Sequence, residues 1–252
     1  MILSKNKKEN DQIDAMFAVG AHFGYDRSRR HPSVMKYIFG RKNNVEIIDL
    51  EKTAEKLQVA KEFVKEIASR GEQILFVGGK KEAQATIEDF ALKIDQPYVS
   101  GRWIGGTLTN FEEIRKRVKH YLDLVSQRDK GELAKYKKKE RMMIDREIER
   151  LEIKFSGISN MEKKPAAVFI VDADREDIAR DEAISSGIPV ISLSGSDCNF
   201  DKIDYVIPAN DSSIESIKFF VGEIVSAFED GKSNPVAPEA DKAAKSTKSV
   251  GK

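Results

Sequence analysis

The residues best suited to chemistry fall into three short groups. Gly78-Gly79-Lys80-Lys81 follows the apolar run Ile74–Val77, a strand running into glycines and a lysine at a helix start. Free N–H groups and the helix dipole favour phosphate at such a point. A phosphate-binding loop, however, needs G-x-x-x-x-G-K-[ST], and G-x-G-x-x-G is absent as well. A tight strand-to-helix turn explains both glycines without a ligand. Asp172-Ala-Asp174, after Val168–Val171, could hold magnesium at a sheet's carboxyl edge. Capping is the preferred reading: Asp174 begins a helix whose positive end suits Glu176 and Asp177. Asp197-Cys198-Asn199 offers one thiol without a nearby histidine, a poor nucleophile or metal ligand. His22, His31 and His120 show no metal-ligand spacing. No catalytic constellation, cofactor or metal is expected, and the protein reads as a non-enzyme.

A different chemistry is written into Gly20–Lys42. Arg27, Arg29, Arg30, Lys36, Arg41 and Lys42 are interleaved there with Phe23, Tyr25, Tyr37 and Phe39, without sustained helix or strand periodicity. Cationic groups neutralise phosphates and aromatic faces stack on splayed bases, so this segment is expected to bind RNA. A second such element is Arg102-Trp-Ile-Gly-Gly-Thr-Leu-Thr-Asn110, followed by Arg115-Lys-Arg117. Trp103 suits a core position as well as a stacking platform. Further on, Lys135 and Lys137–Lys139 precede Arg141, Arg146 and Arg150 mixed with Glu140, Glu147 and Glu149. That pattern reads as a solvated helix face laced by i,i+3 and i,i+4 ion pairs.

Positioning these residues requires a scaffold, and its period is legible. Val45–Ile48, Ile74–Val77, Pro97–Val99, Val168–Val171, Ile188–Leu193 and Tyr205–Ile207 are short apolar runs separated by helical patterns. Strands alternating with helices of 10–15 residues predict βαβ units and a mostly parallel sheet. The fold class is α/β, doubly wound. Residues 108–156 break the rhythm: Ile114, Val118, Leu122 and Val125, then Ile144, Ile148, Leu151 and Phe155, form narrow stripes on charged helices around Asp129-Lys-Gly131. Two antiparallel helices packing on each other rather than on the sheet are expected, an inserted hairpin or coiled coil. The expected organisation is a basic N-terminal segment over 1–42 that packs on the core, an α/β domain over 43–107 and 157–230, the hairpin over 108–156 and a disordered tail over 231–252.

Composition narrows the classes. One cysteine excludes an internal disulfide framework and suits a reducing cytosol. No apolar run reaches the roughly 18–20 residues of a membrane helix, and no signal peptide is expected. The net charge of +1 conceals strong asymmetry. Residues 1–42 carry nine Lys/Arg against four Asp/Glu, whereas 165–230 carry four against fourteen. A polyanion-facing side and an acidic side facing solvent or protein are therefore expected.

Gly20-Ala-His-Phe-Gly24, Tyr37-Ile-Phe-Gly40, Ile47-Ile-Asp-Leu50 with Thr53, Leu75-Phe-Val-Gly78, the string Arg102–Asn110, and Ile203–Asp211 occur in this order. Over roughly residues 15–230 the chain resembles the bacterial small-subunit ribosomal protein S-two family. The resemblance implies a doubly wound domain with a protruding helical hairpin, agreeing with the reading above. It also implies a structural role in the cytoplasmic ribosome: binding small-subunit rRNA, with neighbouring ribosomal proteins including S-one as partners, no membrane and no homo-oligomer. The chain departs from the family at Gly79, at Gly195-Ser-Asp-Cys-Asn-Phe200, at Ala209 and at Ser212. The RNA-binding set expected is His22, Phe23, Arg27, Arg29, Arg30, Lys36, Tyr37, Arg41 and Lys42, with Arg102, Trp103, Asn110, Arg115, Lys116 and Arg117. The alternatives are a phosphate- or nucleotide-binding α/β enzyme using Gly78–Lys80, and a hairpin serving as a protein-docking arm.

Overall fold

A computed structural model describes residues 11–234, so most of the expected tail lies outside the described residues. After a helix over residues 11–18 (α1), β1 (Phe23–Asp26), β2 (Ile38–Lys42) and β3 (Val45–Ile48) form an antiparallel sheet in the order β1-β3-β2. Asn43 and Asn44, with φ of 50° and 65°, connect β2 to β3. Two-residue hairpin loops need such positive φ, which asparagine tolerates. The stretch Gly20–Lys42, which shows no sustained periodicity in sequence, supplies two of these strands. Val45–Ile48, expected to open the βα alternation, pairs with them instead, and the hairpin spans the expected boundary at residue 42. Register irregularities between Phe23 and Asp26 and between Ile38 and Gly40 break the period-two pattern that would have revealed these strands.

The second sheet is parallel and has the order β5-β4-β6-β7-β8, from β4 (Ile74–Val77), β5 (Tyr98–Val99), β6 (Ala167–Val171), β7 (Val190–Ser194) and β8 (Tyr205–Pro208). Helices α2 (Leu50–Ser69), α3 (Lys81–Lys93) and α7 (Ile214–Ser233) cover one face. The other carries α6 (Asp177–Ser185) and the lower parts of α4 (Phe111–Asp129) and α5 (Lys138–Phe155). β4 and β6 read as unbroken apolar runs because both faces are covered, while β7 interrupts its run with buried Ser192 and Ser194. In β6, Ala167, Phe169 and Val171 enter the first core while Val168 and Ile170 enter the second. Each large side chain fully buried in this way contributes about 1.5–3 kcal/mol.

Helices α4 and α5 touch each other, but their stripes do more than that. Ile114, Val118, Ile148 and Phe155 belong to one continuous core with Leu75, Val77 and Val168 of the sheet. The expectation that they pack only on each other is corrected accordingly. The expected ion pairs within α5 are also missing among the described residues, where His120 on α4 meets Glu147 on α5 at 3.6 Å. Exposed pairs gain little in a high dielectric, so long side chains are left free.

Candidate nucleic-acid interface and a closed sheet edge

In a doubly wound sheet the ligand crevice lies beyond the carboxyl ends of the strands, where the strand order reverses. Here that point lies between β4 and β6. Lys80 follows β4 and Asp172 follows β6, so the two stand on its opposite sides. The Lys80 ammonium donates to Asp172 Oδ2 at 3.0 Å and to Asp211 Oδ1 at 3.3 Å, and all three side chains are buried. Burial alone would lower the lysine pKa, but Asp211 and Asp172 outweigh it and hold the ammonium charged. The crevice is not open. Tyr25, from the antiparallel sheet, reaches in and places its hydroxyl 3.3 Å from Lys80 Nζ, 3.1 Å from Asp211 Oδ1 and 2.7 Å from Ser212 Oγ. Lys80 therefore has its anions already, and the phosphate-binding alternative loses its cation.

The expected cap from Asp174 is corrected, while Glu176 and Asp177 do lie at the helix start. The helix starts at Asp177 without a side-chain cap from Asp174, and Asp172 Oδ1 accepts from the Arg175 N–H at 3.2 Å. No cluster of metal-ligating residues is present among the described residues. Asp172 has φ of 65°, a left-handed conformation that aspartate adopts at modest cost. Burial pushes the Cys198 thiol up to about 12, leaving it unreactive. Asp197 is raised by burial, then by Asp211 and Asp172, to about 6, and its Oδ1 has no hydrogen-bond partner.

The antiparallel sheet sits against the loops that follow β7 and β8. The Tyr25 N–H donates to Ser196 Oγ at 2.8 Å, the His31 N–H to Ser196 O at 3.0 Å, and the Asn210 N–H to Ala21 O at 2.9 Å. Of the expected RNA-binding set, Arg27, Arg29, Lys36, Arg41, Lys42 and Phe23 are exposed on this unit. Asp26 caps the turn that carries the first two arginines, accepting from the Ser28 N–H at 2.8 Å. Hydrogen bonds from Ser28, then Arg41 and Arg29, hold its carboxyl below the ordinary range.

Other members of that set are engaged internally. Arg30 donates to Glu46 Oε1 at 2.8 Å, and Glu46 is buried. Tyr37 is buried against Phe200, with Lys36 Nζ 5.2 Å from its ring. His22 is buried between Phe17 and Phe23, and burial lowers its pKa. Arg30 is thus partly buried in its ion pair, and Tyr37 and His22 are buried, so these three present less surface than the exposed cations.

In the second expected element the structure places Arg102, Asn110, Lys116 and Arg117 at the surface. Trp103 is buried, and its indole N–H donates to Glu182 at 3.2 Å. Glu182 of α6 also accepts from the N–H groups of Gly106, Leu108 and Thr109 at 2.6, 3.0 and 3.2 Å, and from the Thr109 hydroxyl. Burial pushes its pKa up, but these donors outweigh it and the net shift is downward. Arg115 is half-buried and donates to Met161 O at 2.7 Å. Glu182, the residue that folds this loop, was not among the expected site residues. It lies some 75 positions downstream, and the only hint of it was an acid between the alanines Ala179 and Ala183 of a short helix.

Comparison with known proteins agrees with this architecture. A family model described as ribosomal protein S2 matches residues 16–231. Small ribosomal subunit protein uS2 of Roseiflexus castenholzii is 44% identical over 227 residues, covering 90% of this chain and 86% of that protein. Its namesake in Chloroflexus aurantiacus is 42% identical over 219 residues, 87% of this chain and 92% of the relative. That of Oleidesulfovibrio alaskensis is 38% identical over 236 residues, with 94% and 91% covered. With matches of this extent, the chain belongs to the ribosomal protein S2 family.

Proposed function

We propose that the protein is a structural constituent of the small ribosomal subunit. It binds small-subunit rRNA through the exposed cations of the N-terminal unit, Arg27, Arg29 and Lys36 on its turns and Arg41 and Lys42 on β2, with Arg102, Lys116 and Arg117 as a second patch. The single observation that carries this is the family membership over residues 16–231. Mechanistically, guanidinium and ammonium groups displace counterions from phosphates, while the sheet and the turns packed beside it set their spacing. Residues 108–156 act as an arm toward neighbouring ribosomal proteins, S-one among them; exposed Met142, Met143 and Ile153 on α5 support that reading. The protein works as one copy in the cytoplasmic ribosome, away from membranes. Among the described residues no helix is long and apolar enough to cross one.

The test is charge reversal at Arg27, Arg29, Lys36 and Arg41 together, sparing Arg30 because its loss would strand buried Glu46. Co-sedimentation with small subunits in a sucrose gradient should fall at least tenfold. Normal co-sedimentation by a folded variant would remove this surface from the rRNA interface.

A further inference from the structure

The Tyr25 side chain occupies the place a bound ligand would take in an enzyme of this architecture. Its hydroxyl satisfies Lys80, Asp211 and Ser212, which together form a polar cup at the switch point. Its ring lies close beneath Gly195, where a Cβ would stand 2.8 Å from Tyr25 Cε2. Its own backbone approaches just as closely: the N–H bonds Ser196, and a Cβ on Gly24 would lie 3.0 Å from Ser196 Oγ. One residue later Asp26 caps the turn holding Arg27 and Arg29, so little freedom separates the buried hydroxyl from the first exposed cation.

We propose that Tyr25 is a positioning residue: a latch, seated in the unused ligand crevice, that fixes the angle at which the basic antiparallel sheet meets RNA. The proposal rests on the rRNA-binding reading above. The latch acts before binding, because cations already held in place lose less freedom when phosphates arrive.

Two full-length variants test it, Tyr25→Phe, which removes only the hydroxyl, and the milder Ser212→Ala, which removes one exposed partner. Amide hydrogen exchange should accelerate about tenfold in β1 and β3 of Tyr25→Phe while β4, β6 and β7 stay protected, a selective local opening. Affinity for transcribed small-subunit rRNA at fixed salt should fall about threefold to tenfold. The slope of log affinity against log salt should stay as in wild type, because the phosphates neutralised remain the same in number. Ser212→Ala should move both readouts in the same direction by less.

Equal acceleration in both sheets would make Tyr25 an ordinary core residue and overturn the proposal. So would selective opening with unchanged RNA affinity, or a changed salt slope. If wild-type protein itself failed to bind the RNA, the interface reading would fall, and the exchange pattern would separately report whether the latch exists.

Discussion

At Glu182 a single carboxylate organises the loop from Trp103 to Thr109, and removing it strands two buried donors, the Trp103 indole and the Leu108 N–H, with the part-buried N–H groups of Gly106 and Thr109. An unsatisfied buried donor costs about 1–3 kcal/mol, and relaxation admits water to some of them. Glu182→Ala should therefore lose about 3 kcal/mol in urea unfolding. Trp103 is the one tryptophan, so its emission should shift to the red in the folded variant. Asp197 predicts the opposite sign. Its pKa rises from 3.8 to about 6 on folding, so the folded state favours the protonated acid. Its contribution is complete below pH 4 and is lost as the pH rises through 6. Asp197→Asn should stabilise the protein at pH 7 by about 1–3 kcal/mol and flatten stability between pH 4 and 6. A variant with the wild-type pH profile would show that Asp197 ionises freely in the fold. Glu182 was not legible beforehand, and Asp197 was noticed only as a neighbour of Cys198, because an acid's partners are set by contacts far away in sequence.

Helices and strands were largely legible, and their partners less so. Buried runs at β4, β6, β7 and β8 announced a parallel sheet because strands covered on both faces are apolar along most of their length, and the buried serines of β7 are hydrogen-bonded. The antiparallel sheet escaped notice: its bulged strands mix exposed cations with half-buried residues and keep no clean period. The points where helices cross are likewise invisible in one dimension. Gly231 near the end of α7 rests on α2, where a Cβ would meet Lys65 O and lie 2.8 Å from Ala68 Cβ. Alanine normally improves a helix interior by about 1 kcal/mol over glycine. Gly231→Ala should instead destabilise by about 2 kcal/mol, because backbone on α2 must move. Thermal unfolding checks it, and a rise in midpoint would mean the helices separate freely at that crossing.

Across the whole molecule, charge is arranged differently from its order along the chain. The acidic stretch 165–230 does not form one face. Asp172 and Asp211 surround Lys80 in the interior, Glu182 holds a loop, and Glu223, Glu229 and Asp230 meet Lys61, Lys93 and Lys65 of the neighbouring helices. Most cations of the N-terminal sheet, by contrast, stay exposed. Neutralising Arg27, Arg29, Arg41 and Lys42 should therefore weaken rRNA binding at every sequence. It should also lower the salt slope by about 0.7–0.9 for each phosphate that is no longer neutralised. An unchanged slope in a filter-binding titration would place the phosphates elsewhere. The sequence by itself determined the α/β class, the family and a basic front segment, because burial period, ordered motifs and composition are local or collinear properties. Only the tertiary structure decided which cations are free, that Trp103, Tyr37 and His22 belong to the interior, and that Tyr25 closes the sheet's ligand crevice. Those outcomes depend on residues as far apart as Tyr25, Lys80, Asp172 and Asp211 arriving at one point, and burial and pairing exist only once the chain has folded to bring them there.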